Sequence, residues 1–234
     1  VSGEKSKNII EKRMPKYLIN HVKELYLVKT DKYERNNINQ NDLNQKNLNC
    51  IVMNYHSSKD WYENGRSSIT NWESGLRFLH IINQLSTRFK SINFLIKSKS
   101  YEWLNIPYYS ELVKKFKEKE NILILSDQEK WNNIETLKKG DFAISVTTSL
   151  ADEMLSLGKP VIIYNSFGGF PERIFDYGKR ILANNFEEIA QKIDSIISNY
   201  QEYNLSLEED RKKLFYEADP GKLKVEINKI FNSF

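Results

Sequence analysis

The chain has 234 residues, 40% hydrophobic and 28% charged, the balance of a soluble globular protein. Its net charge of +4 comes from intermixed signs, which suits a solvated surface and is compatible with a phosphate-bearing ligand or peripheral contact with an anionic membrane. One cysteine, Cys50, excludes an internal disulfide framework, and three scattered histidines (His21, His56, His80) lack zinc spacing, so no metal site is expected.

No run of 18 apolar residues is present, so no membrane-spanning helix is expected. Residues 1–16 carry charge throughout and lack the apolar stretch of a secretory signal. A chain that starts at Val1 rather than Met is expected to be a fragment, and a reducing cytoplasm is the simpler setting for a lone thiol. Tyr17, Leu18, Val22, Leu25 and Tyr26 fall at helical spacing, so residues 1–35 are expected to be a helical remnant of a preceding domain or linker. Residues 36–49 hold seven asparagines and only Ile38, Leu43 and Leu48 as apolar residues. Such a stretch cannot bury enough surface to fold alone and reads as a linker.

The main domain is expected over residues 50–234. Short apolar runs occur at Cys50–Met53, Phe94–Ile96, Ile122–Leu125, Phe142–Val146, Val161–Tyr164 and Ile181–Leu182. They are nearly continuous rather than alternating, as strands covered on both faces must be. Helical patterns lie between them. Thr70 and Glu73 have capping-box spacing, followed by a stripe of Leu76, Leu79, Ile82, Leu85 and Phe89. Asn185 is placed to cap another helix, with Glu187 and Glu188 in its first turn and Phe186, Ile189, Ile193 and Ile197 facing inward. Leu223, Ile227, Ile230 and Phe231 outline a terminal helix. Strand–helix–strand alternation predicts a doubly wound parallel α/β sheet with right-handed crossovers and helical extensions at both ends. Ligands of such sheets bind beyond the carboxyl ends of the strands.

The most informative segment is GDFAISVTTSLADEMLSLGKPVIIYNSFGGFPERIFDY, residues 140–177. A strand runs straight into Thr147-Thr148-Ser149, where a helix begins, and Ser149 and Asp152 have the spacing of a capping box. Backbone N–H groups, the positive end of the helix dipole and three hydroxyls converge there. They make either a diphosphate cradle or a simple cap. Glu153 follows one turn in, as a ribose-diol acceptor or an ordinary exposed acid. Gly158 and Pro160 end the helix and are architectural.

This pattern of small hydroxyls followed by S-L-x-x-E and G-K-P-V-I resembles the donor-binding domain of GT-B glycosyltransferases, a Rossmann-like fold. It is also similar to non-hydrolysing nucleotide-sugar epimerases and polyol-phosphate polymerases. The likeness covers roughly residues 49–200 and is strongest over 140–164. It implies that Thr147, Thr148 and Ser149 meet the donor phosphates and that Glu153 meets a diol. Other loops fit the same picture. His56 and Ser57 sit in a polar loop after the first strand, at the expected edge of an interdomain cleft. Lys97 resembles the basic residue of an I-K-P-H-P segment, although the Pro-His-Pro is missing here, and a solvated lysine is the other reading. Asp127 and Gln128 follow the third strand, where related proteins hold the base. Residues 165–171 form a Gly-rich turn cluster like the loop that closes over the sugar. Arg173 is a candidate for phosphate or for a surface ion pair, and Tyr177 for packing.

The resemblance therefore implies a metal-independent glycosyltransferase half, without a cofactor, that holds a nucleotide sugar for a bacterial surface polysaccharide or glycolipid. A glycan or lipid-linked acceptor would be met through a missing N-terminal domain, which normally supplies the acceptor base. The setting it implies is cytoplasmic, with peripheral contact at the inner face of the membrane. Two alternatives stand beside it: an epimerase or polyol-phosphate transferase of the same fold, and a non-catalytic α/β nucleotide-binding or interaction module. No G-x-x-x-x-G-K-[ST] loop occurs, which argues against a P-loop NTPase.

Overall fold

The computed structural model describes residues 47–54, 72–127, 130–146, 148–165 and 178–214, apart from the side chains of Trp72, Ile134, Ser149 and residues 212–214. Residues 1–35, the linker up to residue 46, Thr70 and the expected terminal helix lie outside them, as do His56, Ser57, Gln128, Thr147, Arg173 and Tyr177.

Among the described residues, six strands build one sheet: β1 (Leu48–Asn54), β2 (Ile92–Ser98), β3 (Ile122–Ile124), β4 (Phe142–Ser145), β5 (Val161–Tyr164) and β6 (Leu182–Ala183). Their order is β3-β2-β1-β4-β5-β6, and every neighbouring pair is parallel. The helices are α1 (Trp72–Arg88), α2 (Ser110–Lys117), α3 (Asn133–Lys139), α4 (Ser149–Ser156), α5 (Phe186–Ser198), α6 (Tyr200–Ser206) and α7 (Glu208–Leu214). Two 3-10 turns, Glu102–Asn105 and Pro107–Tyr109, join β2 to α2. The expected doubly wound parallel sheet is the fold of this chain.

The continuous apolar runs are explained by cover on both sides. Cys50, Val52, Phe94, Ile96, Phe142 and Ile144 face a core filled from α1, α2 and α5. Ile51, Met53, Leu95, Ala143, Val161 and Ile163 face a second core with Leu137 of α3 and Ala151, Met154 and Leu155 of α4. Each fully buried Val, Leu, Ile or Phe contributes about 1.5–3 kcal/mol, so both layers are held by hydrophobic burial. The α1 stripe forms as expected, with Leu79, Ile82, Leu85 and Phe89 buried and Leu76 packed on its margin. Phe78 joins them, fully buried.

Helix ends follow local chemistry. Asn132, Asn185 and Asn199 each accept the N–H three residues on, at 2.9–3.1 Å, and so cap α3, α5 and α6. Gly158 has φ +79° and closes α4 with Gly158 N donating to Leu155 O and Lys159 N to Met154 O. This is a Schellman motif, whose left-handed position favours glycine. Lys159 is buried and donates through Nζ to the carbonyls of Leu137 (2.6 Å), Lys138 (3.2 Å) and Gly140 (2.6 Å). It therefore caps the carboxyl end of α3, where a cation also favours the helix dipole.

Three local expectations need correction. The cap of α4 is Thr148, whose Oγ1 accepts Leu150 N at 3.2 Å; Ser149 is already the first helical residue. Ile197 does not face inward but is 44% exposed, and Ile196 is buried instead. Seven residues after Ile189, position 196 returns to within about 20° of the same face, given 3.6 residues per turn. The first strand begins at Leu48, two residues inside the expected linker, because Leu48 and Asn49 pair with Ile92 and Asn93.

Candidate functional site

Strand order reverses direction between β1 and β4, so their carboxyl ends flank the topological switch point, where doubly wound sheets bind ligands. Asn54 ends β1 and Ser145 ends β4. On the β4 side the chain passes Val146 and enters α4 through the Thr148 cap. Thr148 keeps an extended backbone (φ −162°, ψ 148°), and the helix begins at the next residue. Glu153 lies one turn further along and is only 4% exposed. The ordinary exposed acid is thereby ruled out for Glu153: the residue is buried on the helix that starts beyond β4. Its backbone carbonyl accepts Leu157 N and Ser156 Oγ at the far end of α4.

The structure separates the remaining candidates. Lys97 is half-buried on β2 and donates from Nζ to Trp131 O at 2.6 Å; burial pushes its ammonium below the usual lysine range. This bond pins the turn between β3 and α3, so Lys97 is not a freely solvated lysine. Asp127 is exposed and organises the same turn, with Oδ1 accepting Lys130 N and its carbonyl accepting Trp131 N.

Composition alone did not reveal a set of polar residues at the strand ends. Among the described residues, Asn54 Oδ1, Ser145 Oγ and Asn165 Oδ1 are buried atoms without a hydrogen-bond partner, as is Asn83 Oδ1 within α1. The first three occupy the carboxyl ends of β1, β4 and β5. Asn54 donates from Nδ2 to Ser98 Oγ (3.2 Å), which also accepts Trp103 Nε1 (3.1 Å). On the same face, Tyr164 at the end of β5 stacks on Phe78 with ring centroids 6.1 Å apart. The usable signal was positional: Asn54 and Asn165 are the first polar residues to follow an apolar strand run, after Met53 and Tyr164. No group of three or more His, Cys, Asp or Glu among the described residues is placed to hold a metal ion. No helix among them is long and apolar enough to cross a membrane.

Sheet order, crossovers and the β4–α4 turn define a Rossmann-like, doubly wound α/β domain. The chain is similar to the UDP-GlcNAc 2-epimerase of Methanocaldococcus jannaschii in complex with UDP-GlcNAc and UDP. That match has a TM-score of 0.57 and 15% identity, covering 98% of this chain and 59% of that one. It is also similar to the UDP-GlcNAc 2-epimerase of Neisseria meningitidis bound to UDP-GlcNAc, with a TM-score of 0.54, 15% identity, and coverage of 98% and 60%. The chain thus spans about three-fifths of the length of these two proteins. No curated protein matches it. The family described as polysaccharide biosynthesis PFTS motif protein matches residues 58–193, more than half of the sequence, and the chain belongs to that family.

Proposed function

We propose that this chain is the nucleotide-sugar-binding half of a glycosyltransferase acting in polysaccharide biosynthesis. The observation that carries this reading is the β4–α4 turn. A capped helix start and a buried carboxylate one turn behind it stand at the switch point of a doubly wound sheet. The turn lies inside residues 58–193, the span matched by the polysaccharide-biosynthesis family. In this reading, Thr147, Thr148 and Ser149 receive the diphosphate through backbone N–H groups and hydroxyls, and Glu153 accepts hydrogen bonds from a ribose or sugar diol. In the same reading His56 and Ser57, which follow β1 in the sequence, and Arg173, which follows β5, contribute further contacts, Asp127 serves the base, and Lys97 acts through the turn that it pins. Negative charge grows on the leaving phosphate in the transition state, so donors fixed there in advance speed departure. A glycan or lipid-linked acceptor would come from a second domain.

A second reading, a nucleotide-sugar epimerase, is favoured by the two solved structures named above, both UDP-GlcNAc 2-epimerases. Calorimetric titration with uridine, guanosine, cytidine and thymidine sugar nucleotides tests binding. Incubation with the nucleotide sugar that binds, followed by NMR of the sugar, separates the readings: a 2-epimer appearing without acceptor supports the epimerase. Failure of a folded chain to bind any of the four at millimolar concentration refutes both. Within the donor reading, Glu153→Gln is expected to weaken binding about tenfold, the scale of one hydrogen bond to a charged group.

A further inference from the structure

Asn54 has an arrangement that its place in the β-sheet does not require. The residue is only 5% exposed, and its Nδ2 is committed to Ser98 Oγ at 3.2 Å. Ser98 is held in turn by the indole Nε1 of the fully buried Trp103, and its own N–H donates to Tyr101 Oη at 3.3 Å. The chain of contacts from Trp103 through Ser98 thus fixes the Asn54 amide in one orientation and leaves Oδ1 without a partner. Native proteins pair nearly all buried polar atoms, because an unpaired one costs about 1–3 kcal/mol.

The atom so presented accepts hydrogen bonds and carries no formal charge. It repels phosphate oxygens, which at neutral pH are themselves acceptors, and selects a hydroxyl or an amide N–H. Its position is equally specific. Met53 lies in register with Ser145, so Asn54 stands one residue beyond the end of β4 on the adjacent strand, about 5 Å away across the ladder. Asn54 shares its sheet face with Val52, whereas Glu153 rides on α4 over the opposite face. A diphosphate seated at the β4–α4 turn would therefore have Asn54 on one side and Glu153 on the other.

We infer that Asn54, oriented by Ser98 and Trp103, is a specificity residue that accepts a hydrogen bond from the glycosyl unit of the bound nucleotide sugar. This inference rests on the donor-site reading given above. Ser98 is a positioning residue, since it acts through Asn54.

The test is titration calorimetry of the chain with UDP and, separately, with UDP-GlcNAc, using wild type, Asn54→Ala and Ser98→Ala, alongside thermal unfolding of each. The expected result is a loss of about five- to tenfold in affinity for UDP-GlcNAc, the scale of one neutral hydrogen bond, with affinity for UDP kept within twofold. If both ligands weaken equally, or neither does, Asn54 is a packing or water-holding residue and the inference is overturned while the donor site stands. Equal affinity of the wild type for UDP and UDP-GlcNAc overturns it as well. If the folded wild type binds neither, the same comparison is made with the guanosine, cytidine and thymidine diphosphates and their sugar nucleotides, and failure of all four pairs removes the donor-site reading itself, and this inference with it. If Asn54→Ala loses its thermal transition, Ser98→Ala carries the same comparison, because it leaves the Asn54 amide in place without its anchor.

Discussion

Replacing Thr148 by alanine removes a side-chain hydrogen bond that starts α4, Leu150 N to Thr148 Oγ1 at 3.2 Å. Loss of a threonine cap costs about 1 kcal/mol, within a range of 0.5–2. The length of this bond places the expected loss at or below 1 kcal/mol. Burial limits the damage further, since Leu150, Ala151, Met154 and Leu155 hold the helix against the sheet whatever its cap. For a domain of this size 1 kcal/mol corresponds to about 2–4 °C in midpoint. Thermal unfolding followed by circular dichroism should show that drop for Thr148→Ala and little change for Thr148→Ser, which keeps the acceptor oxygen. Ser149→Ala leaves the Thr148 cap intact and should unfold within about 0.5 kcal/mol of wild type, as substitutions away from such features do, while nucleotide affinity falls. Thr148→Ala is then expected to lower both stability and binding, and Ser149→Ala binding alone. If Ser149→Ala lowers the midpoint as far as Thr148→Ala, the cap has been assigned to the wrong residue and the reasoning fails.

Lys159→Met should cost about 2–4 kcal/mol, because it strips a charged donor from three carbonyls at the end of α3; urea unfolding measures it. Gly140→Ala should cost about 1–3 kcal/mol by overpacking, since its Cβ would lie 2.3 Å from Cγ1 of the buried Ile51; the same urea titration reads it, and a neutral result would show that the core there is loose. Glu188 responds to pH. The Asn184 backbone N–H, then the Asn184 and Asn185 side-chain amides, hold its carboxyl below the usual range. Its stabilising contribution is therefore complete above the ordinary glutamate pKa and lost as pH falls through the depressed value. Glu188→Gln should flatten the stability profile below about pH 4.3, as a series of melts from pH 6 to pH 3 would record.

The sheet was legible in the sequence because burial on both faces leaves a mark that needs no partner to be seen. Runs such as Cys50–Met53, Phe142–Val146 and Val161–Tyr164 are apolar throughout, and only strands between two helical layers require that. Asn185 was legible for a similar reason, since a cap acts on N–H groups two or three residues away. The region of the candidate site was also readable, because the end of β4 and the start of α4 adjoin in the chain. What sequence alone left open was every choice made by residues distant in the chain. Whether Thr148 or Ser149 caps α4 depends on where the backbone turns out of the sheet, and both side chains have suitable oxygens. Whether Ile196 or Ile197 packs depends on where α5 meets the sheet. Glu153 and Lys159 are polar, and polar residues default to the surface. Only the fold buries Glu153 and sets Lys159 against carbonyls at the end of α3 some twenty residues earlier. Asn54, Ser98 and Trp103 are separated by up to 49 residues yet form one hydrogen-bonded chain, because β1 and β2 pair in register. Local pattern determines the elements, since their energetics are settled within a few residues. Buried polar geometry is decided by tertiary structure, since each group must find its partner across the sheet.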